Sequence, residues 1–319
     1  MKRRFLICVL LIWALSVSVF AETIRWVDFS VPYGSLKYAM EQDIATAEQE
    51  KHISWIEILA LAACRTGGKC PLSSVKKAAN QLKGAHNSRE LAGELGKYYD
   101  YYFESFSAAL GGLLGNYAIE VGGQWKSIYG LKAFSPIAAG YGYSHCSDFG
   151  ASRSFGFNRK HLGNDLMGSL GTPVVAVEGG YVEVMGWNRY GGWRVGIRSF
   201  DGKRYYYYAH LQKDKPFAPG LQEGDIVNGG DLIGFMGRTG YSDRENVNNI
   251  ETVHLHFGME LIFDESQKEC LSEIWIDVYD IVRLLSSHRS TVKYENGQWK
   301  RGYPYRDLDV EDFLKNASK

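Results

Sequence analysis

An excess of charge of either sign is what this 319-residue chain lacks: 36 Lys and Arg meet 36 Asp and Glu, for a formal net charge of +0. No basic stripe invites a nucleic acid and no acidic tail is present, so composition gives no ground for a nucleic-acid partner. Cysteine is scarce too. The five are Cys8, Cys64, Cys70, Cys146 and Cys270, none in a CxxC pair, which argues against a cysteine-built zinc site. No internal repeat or low-complexity tract is visible. What is there, 45% hydrophobic and 23% charged residues, is an ordinary globular composition over a length that allows two domains.

One long apolar run exists, Phe5 to Phe20, preceded by Lys2, Arg3 and Arg4 and followed by Ala21. The layout is that of a secretory signal over residues 1–21, cleaved after Ala21. The run over residues 5–20 is also just long enough, with help from its flanks, to serve as an N-terminal membrane anchor. Cys8 lies too early in it for a lipoprotein signal. The four later cysteines would then meet an oxidising compartment, where Cys64 and Cys70, bracketing the turn RTGGK, are spaced for a disulfide. Four cysteines allow three pairings, and the sequence does not choose among them.

The expected fold class is α+β. Residues 22–130 form a helical N-terminal region: SLKYAMEQDIATAEQEK, WIEILALAACR, SSVKKAANQL and a last segment from Asn87 to LLG all space apolar residues by three and four. Asn87 with Glu90 three residues on opens that last helix as a capping box. The texture changes near residues 117–140, and residues 131–264 read as an antiparallel, β-sheet-rich domain built from short segments such as YVEVMGW, WRVGIRSF and KRYYYYAHL. Residues 265–319 form a short helical C-terminal extension, with IWIDVYDIVRLL helical and Asn296-Gly297 marking a turn.

Histidine is also sparse, at eight, yet two fall in HLHF. On a strand, His254 and His256 share one face about 7 Å apart, while Leu255 and Phe257 face the core. HLGND offers His161 and Asp165 around a glycine turn. YYYYAHL puts His210 at a strand end, on the face of Tyr206 and Tyr208, which makes those tyrosines candidate substrate contacts. His52, His86, His145 and His288 stand alone and are left out. A catalytic zinc takes three protein ligands and keeps one position open. His161, Asp165 and one histidine of the HLHF pair would supply three, leaving the other and His210 for proton chemistry.

These motifs resemble those of the lysostaphin/LytM-type zinc endopeptidases of bacterial peptidoglycan. HLGND is similar to the family's H-x-G-x-D, YYYYAHL to its Y-x-H-L, EGDIVNGGDLIGFMGRTGYS to its glycine-rich run and HLHF to its H-x-H, all in the family's order over residues 161–258. The resemblance implies Zn2+ bound by His161, Asp165 and His256, with His210 and His254 as the catalytic pair, one the base and the other a stabiliser of the transition state. It implies peptidoglycan peptides as substrates; taken together with the export signal, and from neither alone, an extracytoplasmic, secreted or envelope-associated bacterial setting is expected. The insertion DRENVNNIETV before HLHF departs from the family's pattern, so specificity cannot be carried over. Two other readings stay open: a catalytically silent wall-binding or regulatory relative, and a zinc peptidase with a non-wall substrate. The bond cut, the oligomeric state and the role of the helical region are not fixed by the resemblance.

Overall fold

A computed structural model of the chain describes residues 24–85, 87–268 and 272–317. The expected signal or anchor lies outside the described residues, as do His86 and Cys270. Among the described residues, no helix is long and apolar enough to cross a membrane.

The N-terminal region is a layer of helices grouped around Trp55–Thr66, in which Ile58 to Ala63 are at most 1% exposed. The Ser54 hydroxyl accepts from the Ile56 amide at its start, Glu57 and Arg65 match the ends of its dipole, and Gly67 closes it in the left-handed conformation. Helices Tyr33–Thr46, Leu72–Gly84 and Gly96–Leu110 pack around it. The segment opened by Asn87 is not one helix. The Asn87 side chain caps Ser88–Ala92 by accepting from the amides of Arg89 and Glu90, but Gly93, at φ +56°, breaks the run before Gly96. Cys64 and Cys70 are buried free thiols, so the expected bridge between them is not formed.

The region expected to be helical to residue 130 ends instead in a hairpin, Leu114–Val121 paired with Gln124–Leu131. Its first strand also pairs with Tyr305–Asp307 near the C-terminus. The last 55 residues are accordingly woven into the rest. In the segment expected to be one helix, Ile274–Ile276 is a strand of the main sheet and only Tyr279–Leu285 is helical. Alternating burial at Ile274 and Ile276 satisfies a period of two over so short a run, and pairing decides it. The turn at Asn296-Gly297 is present, both residues at positive φ, between Val292–Glu295 and Gln298–Arg301.

The main sheet is antiparallel and runs in the order Ile226–Val227, Gly180–Asn188, Gly192–Ser199, Arg204–Ala209, His254–Leu261, Asn164–Met167, Ser144–His145. HLHF therefore lies on an interior strand, flanked by the strands that carry the tyrosine run and Asp165. One face holds Tyr206, Tyr208, Leu255, Phe257 and Met259, all 0% exposed and part of a core continuous with that of the helical layer. The other face opens into a cleft. The two layers are also joined by polar contacts: Arg204 donates to the Ala108 carbonyl at the end of helix Gly96–Leu110, and Gln267 donates to the Ile24 carbonyl.

Candidate active site

Residues from distant parts of the chain meet in a cleft of about 430 Å³ over the sheet. Asp165, on Asn164–Met167, stands directly opposite His256 in the ladder. His161 reaches the same point from the preceding loop, whose backbone is tied down by His161 N–H to Ala151 and Gly150 N–H to His161. Gly163 is required between them, because a Cβ there would lie 2.6 Å from the Phe257 carbonyl and 2.7 Å from the His256 ring.

Three donor atoms converge. His161 Nε2 is 2.7 Å from His256 Nδ1, and Asp165 Oδ1 lies 3.1 Å and 3.3 Å from those two nitrogens. All three residues offer ligand atoms within 4.8 Å of one another. The far sides of His161 and Asp165 are held elsewhere. His161 Nδ1 is 3.1 Å from the Asp148 carbonyl and 3.2 Å from its carboxylate, while Asp165 Oδ2 accepts from Arg153 Nη2 at 3.0 Å. Such outer contacts fix ring orientation and leave the inner atoms free. Two imidazole nitrogens and one carboxylate oxygen facing a common point are a donor set that zinc takes. Burial alone would raise the Asp165 carboxyl, but hydrogen bonds with His161 and His256 hold it well below the usual carboxylate range. Burial lowers His256.

Beside this triad lie His210 and His254, ring centroids 4.8 Å apart, at 6% and 7% exposure. Nδ1 of His210 donates to the Thr239 carbonyl and Nδ1 of His254 to that of Thr252, each at 2.9 Å. Both rings thus keep a lone pair on Nε2. His254 Nε2 is 3.6 Å from Asp165 Oδ1. Burial, then the neighbouring His254 and His256, keep His210 well below the ordinary imidazole range.

The expectation for Tyr206 and Tyr208 is corrected. Both are fully buried on the core face, Tyr206 donating to Glu178 at 2.5 Å and Tyr208 accepting from the Val177 amide. Tyr205 and Tyr207 line the cleft instead. The cause is local: His210 has φ +60°, so it leaves the strand alternation and turns onto the face of the odd-numbered tyrosines. Arg153, Arg159, Tyr190 and Tyr241 also line the cleft, with the Arg159 guanidinium over the Tyr190 and Tyr241 rings at 4.9 Å and 5.2 Å. No periodic pattern marks residues 146–160, which is why Asp148 and Arg153 escape sequence reasoning. The insertion at residues 243–253 does not line the cleft; its Asn246 accepts from the Trp193 indole and donates to Asp214.

Residues 159–268 match Peptidase family M23. This stretch is similar to an M23 peptidase domain. The chain is 42% identical over 130 residues to an L-Ala--D-Glu endopeptidase of Bacillus subtilis (strain 168), a match covering 41% of this chain and 38% of that one. It is 37% identical over 98 residues to lysostaphin of Staphylococcus simulans, covering 30% and 17%. The chain thus spans well under half the length of these curated relatives. A solved structure from Ruminococcus gnavus, named as a candidate glycyl-glycine endopeptidase lytM, superposes with a TM-score of 0.53 at 24% identity, over 82% of this chain and 89% of that one. That likeness extends beyond the M23 domain, so the shared fold includes part of what flanks it.

Proposed function

We propose that the chain is a zinc-dependent endopeptidase that hydrolyses peptide bonds in bacterial peptidoglycan stems or cross-links, acting outside the cytoplasm. The observation that carries this reading is the convergence of His161 Nε2, Asp165 Oδ1 and His256 Nδ1 on one point of a cleft that also holds His210 and His254. The M23 match, and relatives named as endopeptidases, agree with it.

His161, Asp165 and His256 would hold Zn2+, which when bound supplies a Lewis acid and brings the pKa of water toward about 7. Each chain residue then has a task that its surroundings suit. Nε2 of His254, the nearer of the two auxiliary imidazoles to Asp165, accepts a proton from the attacking water and returns it to the leaving amine. His210 lines the same cleft, and its Nε2 would donate to the oxyanion only after taking up a proton, which the negative charge developing there favours against the effect of burial. Thr239 and Thr252 keep both rings in the tautomer that presents a lone pair to the cleft. Tyr205 and Tyr207 form its wall. A catalytically silent scaffold would have no need of both auxiliary imidazoles poised in this way.

The test is digestion of purified walls by the exported chain, with mass spectrometry of the released muropeptides. Hydrolysis that stops on chelation and returns with zinc is expected, and the masses name the bond. Wall binding without release of new amines would instead favour the silent relative, and cleavage of general protein substrates but not walls would favour a non-wall peptidase.

A further inference from the structure

The cleft continues past the histidines. Gly258 and Glu260 follow His254 and His256 on the same face of their strand, and Glu260 stands about 13 Å beyond His256 at the usual rise of a β-strand. Gly258 keeps the floor low between them: a Cβ there would meet the Leu162 carbonyl at 2.8 Å and the Trp275 ring at 2.9 Å.

Glu260 lines this end of the cleft at 4% exposure, yet its Oε1 has no hydrogen-bond partner among the described residues. Buried carboxylates are ordinarily paired, because an unpaired one is costly. The register sets Glu260 directly between Tyr205 on one neighbouring strand and Trp275 on the other, and both rings line the same cleft. The nearby cations pair with other carboxylates, although Arg198 Nη1 makes no hydrogen bond among the described residues. Arg198 donates to Glu265 at 2.6 Å and lies 3.7 Å from Glu183, and Lys268 pairs with Glu183 and, at 3.5 Å, with Glu265. Glu273 adds a further carboxylate, accepting from the Trp275 indole at 2.7 Å. Burial, then Glu273, push the Glu260 carboxyl up to about 8. Four carboxylates, Glu260, Glu183, Glu265 and Glu273, thus face two cations, Arg198 and Lys268.

We propose that this end of the cleft is a recognition subsite for a primary ammonium group on the peptide substrate, held by Glu260 between the Tyr205 and Trp275 rings. An ammonium is compact, carries three N–H donors for a carboxylate and is drawn to aromatic faces. A metal ion suits the place less well, since His161, Asp165 and His256 are the one group of metal-capable side chains that converges among the described residues. The proposal deepens the peptidase reading and rests on it for the word substrate, but binding can be measured without hydrolysis.

The test uses the full chain and three peptides: acetyl-Ala-Gly-Ala-Lys-Ala-amide, its norleucine counterpart, and the norleucine peptide with a free N-terminus. Affinities come from NMR titration of the native chain and of Glu260→Gln. An ammonium-bearing peptide should bind the native chain about tenfold more tightly than the blocked norleucine peptide, as for a hydrogen bond between charged groups. Whether the lysine or the free N-terminus carries that preference identifies the ammonium's source. In Glu260→Gln the ratio should fall toward one. Glu273→Gln, at an exposed position, should lower it by roughly half and serves if the buried variant does not fold. Equal binding of all three peptides by the native chain, or an undiminished ratio in Glu260→Gln, overturns the subsite. Absence of hydrolysis with the preference intact would count against the peptidase reading alone.

Discussion

Two buried polar clusters lie on opposite faces of the same sheet, and they are built on opposite principles. On the core face, Arg204 at 1% and Glu178 at 6% exposure form a two-pronged pair at 2.7 Å and 3.0 Å. Asp201, the Ala108 carbonyl and the Tyr206 hydroxyl complete the set. Charge meets opposite charge, and donor meets acceptor. On the cleft face, three atoms that can each ligate a cation, two imidazole nitrogens and a carboxylate oxygen, crowd within 3.3 Å of one another. A buried cluster saturated by the protein holds the fold together; one whose ligand atoms converge on a common point is arranged for a cation.

The sharpest way to break this contrast is Asp165→Ala. Turnover should drop by about 10⁴-fold, the scale of losing several kcal/mol of charge stabilisation, and zinc should be lost from the purified protein. Full activity with an unaltered zinc content would erase the distinction between the clusters.

Glu178→Ala is the mirror experiment. It strands the Arg204 guanidinium in the interior and should cost about 3–5 kcal/mol of unfolding free energy. Denaturant titration reads the loss, while the folded fraction should bind zinc as before. A stability change below about 1 kcal/mol would show that the core-face cluster is not structural in the sense argued.

His145, at the edge of the same sheet, tests whether an unsaturated atom outside the cleft is simply a cost. Its buried Nε2 has no hydrogen-bond partner among the described residues, and burial lowers its pKa to about 4. In the unfolded chain it titrates near 6.5, so between pH 6.5 and 4 the unfolded state binds a proton that the folded state refuses. Stability should therefore fall as pH drops through that window, by about 2–3 kcal/mol, and level off with respect to this group below it. Urea titrations at pH 7 and pH 5 should show a smaller acid loss in His145→Gln than in the parent. Identical slopes would remove His145 from the acid response.

The contrast between the faces also explains what could be read from the sequence. The helical layer, the antiparallel sheet and the five residues His161, Asp165, His210, His254 and His256 were legible because each sits in a short motif whose spacing survives folding. Strand alternation extended to His210 puts Tyr206 and Tyr208 on the cleft face, and nothing in the sequence announces the left-handed turn at His210 that reverses this. Asp148, Arg153 and Glu260 act through long-range register and loop placement, which local pattern does not encode. The breaks at Gly93 and at Ile274–Ile276 follow from one glycine conformation and one strand pairing, each decided by tertiary contacts.

The same tyrosine run supplies the smallest and cleanest comparison. Tyr206→Phe removes a hydroxyl that donates to Glu178, but Glu178 keeps both bonds from Arg204, so the loss should be only about 1 kcal/mol in stability with turnover unchanged. Tyr207→Phe removes a hydroxyl that accepts from Asn188 at 3.0 Å in the cleft wall, and should alter KM or turnover more than stability. If the two substitutions exchanged their effects, the assignment of faces along Arg204–Ala209 would be wrong, because one hydroxyl is bonded into the core and its neighbour one residue on looks at whatever the cleft binds.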